Sequence, residues 1–126
     1  MSELKYTFDH EWVRLDDEGL ALVGITGYAQ EQLGDLVFVE LPAPGRELGQ
    51  GEAAAVVESV KSASDVLAPM AGTVVAVNER LADDPALVNR EPEGGGWLFK
   101  LRPANVQALA ALMDEADYRA YLAEQG

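Results

Sequence analysis

Apolar and polar positions follow a strand-like period over most of the chain and switch to a helical one only near its end. Glu11 to Leu15 alternates and stops at the polar turn Asp16-Asp17-Glu18-Gly19, and Leu20-Ala21-Leu22-Val23-Gly24-Ile25 answers it, which predicts a first hairpin. Thr26 stands where it would cap a short helix across Gly27 to Leu33, closed by Gly34. Leu36 to Leu41 reads as a strand halted by Pro42-Ala43-Pro44-Gly45, whose prolines fix φ and withhold amide donors. After a turn around Gly49-Gln50-Gly51 come two β-branched runs, Ala53 to Val57 and Val66-Leu67, and then a third from Thr73 to Val77. Pro69-Met70-Ala71-Gly72 bends the chain between them, with Gly72 available for a positive φ. Leu81 to Asn89 reads as a loop with a single helical turn, Glu91 to Gly96 as a flexible loop, and Trp97 to Arg102 as the last strand. Val106, Leu109, Ala110, Leu112, Met113, Tyr118, Tyr121 and Leu122 then recur at helical spacing. One or two amphipathic helices covering the sheet are expected there, with Asn105 or Asp114 as caps.

Many short strands with turn residues between them predict a mainly β fold, a sandwich or flattened barrel with a short internal helix and C-terminal helices. A chain of 126 residues is of single-domain size. The expectation is one domain over 1–126, with a core from about 6 to 102 and a helical region over 104–124. Hydrophobic content of 48% with 25% charged residues excludes a disordered chain, and no apolar run approaches the roughly 18 residues a membrane helix needs. The N-terminus shows neither a secretory apolar core nor an Arg-rich transit pattern, so a bacterial cytoplasm is the expected compartment. Nine Lys and Arg against 22 Asp and Glu give a net charge of −13, which opposes nucleic acid and anionic lipid and favours basic surfaces on protein partners. A monomer is expected.

With no cysteine, disulfides, thiolate metal sites and cysteine nucleophiles are excluded, as is a redox-active thiol pair in the polypeptide. His10 is the only histidine and reads as a packing or hydrogen-bonding residue beside Trp12 rather than a general base. Asp16-Asp17-Glu18 and Asp83-Asp84 lack the spaced oxygens and glycine of a calcium loop, and so read as turn carboxylates. Gly94-Gly95-Gly96 does not lead into a helix and lacks a phosphate-loop lysine. No serine lies in a nucleophile elbow. What remains is Lys61, in Glu58-Ser59-Val60-Lys61-Ser62-Ala63-Ser64-Asp65, between two strand-like runs. Val60 and Lys61 fit the centre of a tight hairpin, with Ser59 and Ser62 outside them. No other Lys or Arg occurs between Arg46 and Arg80, and the small residues after Lys61 leave its amine unobstructed. Two readings stand: an edge lysine that discourages strand pairing, or a lysine displayed for covalent acylation.

Taken together, several blocks resemble the H-protein family of the glycine cleavage system. They are Tyr6-Thr7 with His10-Glu11-Trp12-Val13, Gly24-Ile25-Thr26 with Ala29-Gln30, Leu33-Gly34-Asp35 with Val37 to Pro42, Glu58-Ser59-Val60-Lys61 with Ala63-Ser64-Asp65, and Asn89 with Gly96-Trp97. They run in order from Tyr6 to about Tyr121. The resemblance implies a lipoyl/biotinyl-like barrel-sandwich hybrid and a non-catalytic carrier with one lipoate attached covalently at Lys61. It further implies Glu58 as a recognition point for the lipoylating enzyme, a lipoate ligase or a lipoyl/octanoyl transferase. The implied role is to shuttle the aminomethyl group of glycine from the pyridoxal-phosphate decarboxylase (P protein) to the aminomethyltransferase (T protein), with reoxidation by dihydrolipoamide dehydrogenase (L protein). The cofactor would then bring the sulfur chemistry that the polypeptide lacks. Two positions depart from the family: Glu93 follows Pro92 where an aromatic residue is usual, and Ser62 stands where alanine is commoner. Rival readings are a lipoyl or biotinyl carrier domain of another complex, and an unmodified β-sheet interaction module. Biotinyl domains flank their lysine with methionines, whereas Lys61 has Val60 and Ser62.

Overall fold

The structure, a computed structural model, describes residues 4–125. In chain order its elements are β1 (Lys5–Tyr6), β2 (Glu11–Leu15), β3 (Ala21–Ile25), α1 (Gly27–Leu33), β4 (Leu36–Glu40), β5 (Glu47–Leu48), β6 (Ala53–Ser59), β7 (Ala63–Leu67), β8 (Gly72–Val77), α2 (Arg80–Asp83), α3 (Leu87–Arg90), β9 (Phe99–Pro103), a 3-10 helix (Val106–Ala111) and α4 (Glu115–Gln125). The strands form two antiparallel sheets, one in the order β1-β2-β3-β9-β8-β5 and a smaller one in the order β4-β6-β7. Both sheets are open-edged, so the fold is a barrel-sandwich hybrid rather than a closed barrel. No described helix is long and apolar enough to cross a membrane.

The two sheets share one apolar core, in which Val13, Val23, Phe99 and Leu101 of the larger meet Val39, Val57 and Val66 of the smaller. The opposite face of the larger sheet is covered as well: Tyr6, Trp12 and Leu22 pack with Tyr118 of α4. Burial on both faces explains why Leu20 to Ile25 reads as an unbroken apolar run. Trp12 lies directly across from Gly24, where an added Cβ would come within 2.7 Å of the indole, and its Nε1 donates to the Pro92 carbonyl at 2.7 Å. Only glycine lets the ring lie flat on the neighbouring strand.

Most predicted elements stand where the pattern puts them. Thr26 caps α1 by accepting from Ala29 N at 3.2 Å, and Gly34 ends it with φ 87°. Asn105 caps the 3-10 helix, and Asp114 accepts from Asp117 N at 2.8 Å. Three expectations are corrected. Gly72 has no positive φ: it lies buried in β8, where a Cβ would stand 2.6 Å from the Arg102 carbonyl, so close strand approach demands the glycine. The helical spacing of the tail breaks at Met113, whose N–H and C=O both bond to Tyr6, extending the sheet by one bridge before α4 begins. The loop over 91–96 is pinned rather than flexible. Its Gly94 and Gly96 amides donate to the Glu91 carbonyl, and Asn78 donates to Gly95 O and Trp97 O at 2.9 and 2.8 Å.

Candidate functional site

Lys61 is solvent-exposed at the tip of the β6–β7 hairpin. The connection is the two-residue turn Val60-Lys61, with Ser59 N donating to Ser62 O at 2.7 Å. Neither central residue has a positive φ, so this is not one of the primed turns that match strand twist most easily. Ser59 supplies the missing support. Its buried hydroxyl accepts from Lys61 N at 3.3 Å and from Ser62 N at 3.1 Å, and lies 3.2 Å from the Ser62 carbonyl, to which it can donate. A side chain thus does what Asn-Gly backbone chemistry does elsewhere, and the lysine leaves a tip with fixed backbone.

Lys61 has α1 on its flank. A Cβ built on Gly34 would lie 3.5 Å from Lys61 Cε, so the stem passes over the C-terminal end of α1, where helix carbonyls favour a cation. Asn89 holds this flank in place: its Oδ1 accepts from Leu36 N at 2.9 Å, and its Nδ2 donates to Gly34 O at 3.0 Å and Gln30 Oε1 at 2.8 Å. In the sequence Asn89 is marked only as the end of a loop and by the family resemblance. A polar residue closing the buried run Leu87-Val88 was the available signal.

Glu58 stands on β6 opposite Phe38 of β4 and Ala63 of β7, half-buried on the outward face of the small sheet. It therefore shares the hairpin end with Lys61, and both are reachable by one partner. Glu93, the departure in the glycine loop, turns inward, where its Oε2 accepts from Gly27 N at 2.9 Å at the start of α1. His10 bonds to Tyr118 through Nδ1 at 2.8 Å and packs against Tyr28 and Tyr121, so its partners are the aromatic residues of α1 and α4. Its φ of 68° is held by Thr26 N donating to the His10 carbonyl, and burial pushes the imidazole below its ordinary value. Asp16 is spent on its turn, accepting from Glu18 N and Leu20 N and pairing with Lys100 at 3.4 Å.

Glu11 carries more than its place in the β2 alternation and in the family resemblance discloses. Only 2% exposed, it accepts from Thr7 Oγ1 and Leu67 N, both at 2.9 Å, and burial pushes its carboxyl up to about 7. It shares the parity of Val13 and Leu15 on β2, which is the signal for an inward side chain. A cleft of about 480 Å³ opens beside it, lined also by Thr7, Gly51 and Ala68.

Comparison with known proteins agrees with this arrangement. The family model described as Glycine cleavage H-protein matches residues 4–125. The chain is 57% identical over 117 residues to a glycine cleavage system H protein of Chromobacterium violaceum, covering 93% of this chain and 91% of that one. It is 55% identical over 123 residues to that of Acidiphilium cryptum, covering 98% of each. Among solved structures, the glycine cleavage system H protein of Mycobacterium marinum superposes with a TM-score of 0.87 at 40% identity, covering 96% of this chain and 97% of that one. With its two open sheets and an exposed lysine on the braced β6–β7 hairpin of the smaller one, the chain belongs to the glycine cleavage H-protein family.

Proposed function

We propose that Lys61 is the lipoylated residue of this glycine cleavage carrier, and that the chain shuttles the aminomethyl group of glycine between enzymes without performing chemistry itself. The observation that carries the reading is the exposed Lys61 amine on a turn fixed by Ser59, with small Ser62, Ala63 and Ser64 beside it, in a chain that contains no cysteine. Such an amine fits lipoate: the Lys61 Nζ bonds to an activated lipoyl carbonyl carbon, the bond to the activating group breaks, and an Nζ proton passes to solvent. Once attached, the dithiolane supplies the sulfur that accepts the aminomethyl group and is later reoxidised. The polypeptide holds the pivot still, keeps the tip accessible, and presents Glu58 where a lipoate ligase or a lipoyl/octanoyl transferase can recognise it. The expected partners are the decarboxylase, the aminomethyltransferase, dihydrolipoamide dehydrogenase and the lipoylating enzyme, met one at a time by a monomer in a bacterial cytoplasm.

Incubation with a lipoate ligase, ATP and lipoate is expected to add one lipoyl mass, mapped by peptide sequencing to Lys61. Lys61→Arg is expected to fold normally and to support no glycine decarboxylation in a reconstituted system. Turnover by that variant, or a wild-type amine that stays bare, would overturn the reading.

A further inference from the structure

From the outward face of the β4-β6-β7 sheet we infer that Phe38 and Val60 form an apolar contact for the enzyme that acylates Lys61, an enzyme with an apolar pocket inside a basic rim. The inference rests on the carrier reading above and goes beyond it by assigning a surface.

Two cross-strand rows define the face. Phe38, Glu58 and Ala63 lie side by side nearest the tip, and Glu40, Val56 and Asp65 form the row below. Val39, Val57 and Val66 point the other way, into the core. Phe38 is 51% exposed, Val37 beside it 54%, and Val60 at the tip 80%. Elsewhere among the described residues the exposed large apolar side chains are Phe8 on the N-terminal loop and Val106 on the 3-10 helix. An exposed phenylalanine and valine on an edge strand invite unwanted pairing, so their clustering beside the reactive lysine calls for an occupant. The two rows carry three carboxylates, Glu40, Glu58 and Asp65, and no cation.

Reach identifies the occupant. A bare lysine extends only as far as its four methylenes, so the acylating enzyme must bring its reaction centre down onto the tip. Phe38 lies one strand spacing, about 5 Å, from Glu58, which is itself about 7 Å along the strand from the turn. An enzyme seated on Lys61 therefore covers Val60 and Phe38. Partners that act later meet a much longer arm and can accept it while standing farther from the sheet. A second copy of the chain is a poor occupant, because a two-fold contact would set these carboxylates against themselves.

The test is the steady-state rate of lipoyl transfer to unmodified protein by a lipoate ligase with ATP and lipoate, followed by intact mass as carrier concentration is varied. Phe38→Ser and Val60→Ser are expected to raise the KM for the carrier about tenfold each, the effect of losing one well-buried contact. Val106→Ser, a residue of similar exposure on the 3-10 helix, is expected to leave it unchanged, with all three retaining the wild-type circular dichroism and thermal midpoint. Wild-type kinetics for Phe38→Ser and Val60→Ser would overturn this inference alone. Normal acylation of both, with weakened turnover by the decarboxylase once loaded, would overturn it by assigning the face to that enzyme. A wild-type chain that is never acylated would remove the carrier reading and this contact with it.

Discussion

Glu11 is the residue at which burial and charge conflict most plainly. Its carboxyl titrates at about 7 against an ordinary 4.5, because burial penalises the charged form more than Leu67 N and the Thr7 hydroxyl stabilise it. Between those two values the folded chain keeps a proton that the unfolded chain has released. The stability contributed by this group is therefore complete below about 4.5, falls as pH rises through 7, and is gone above. The total is on the order of 3 kcal/mol. Urea midpoints at about pH 5 and about pH 8 are expected to differ more for wild type than for Glu11→Gln, and equal differences would show that the proton is bound elsewhere. At this scale the sequence was legible where a residue's role is local. The exposed hairpin-tip position of Lys61, between small neighbours, could be read directly, as could the Thr26, Asn105 and Asp114 caps. Roles set by residues far along the chain were hidden: His10 meets Tyr118 across 108 positions, and Trp12 reaches Pro92 across 80.

Period and punctuation identify elements well, since β2, β3, α1 and β4 answer to alternation, a threonine cap and a terminating glycine. They do worse where tertiary pairing overrides local pattern. Met113 keeps a helical spacing but is drawn into a bridge with Tyr6, and Gly72 looks like a turn residue but serves a crowded strand pair. The glycine loop looked loose because composition does not reveal that Asn78 and Glu91 grip its backbone. Among these devices the Asn89 clamp joins the end of α1 to the start of β4 through three hydrogen bonds. Asn89→Ala leaves the Leu36 amide and the Gly34 carbonyl without that partner. It is expected to cost about 3 kcal/mol in urea unfolding. Faster amide exchange at Leu36 is expected to accompany that loss, and unchanged exchange would place the effect elsewhere.

For the whole molecule, a net charge of −13 shapes every meeting with a partner. The small sheet adds Glu40, Glu58 and Asp65 to that field around the lysine tip. Encounters with basic rims are expected to weaken with salt: the apparent KM of the decarboxylase for the loaded carrier should rise several-fold between about 0.05 and 0.5 M ionic strength. A flat response would remove steering while leaving lipoylation untouched. Architecture at this scale was readable as a class, many short strands with late helices, whereas the division into two open sheets depends on pairings such as β3 with β9 that no local window contains. One such pairing bears on biosynthesis. Because Tyr6 bonds to Met113 and stacks on Tyr118 at 4.5 Å, β1 gains these neighbours only after more than a hundred further residues have been made. A nascent chain can form the β2–β3 hairpin early, yet β1 stays unlatched until Met113 and Tyr118 have emerged.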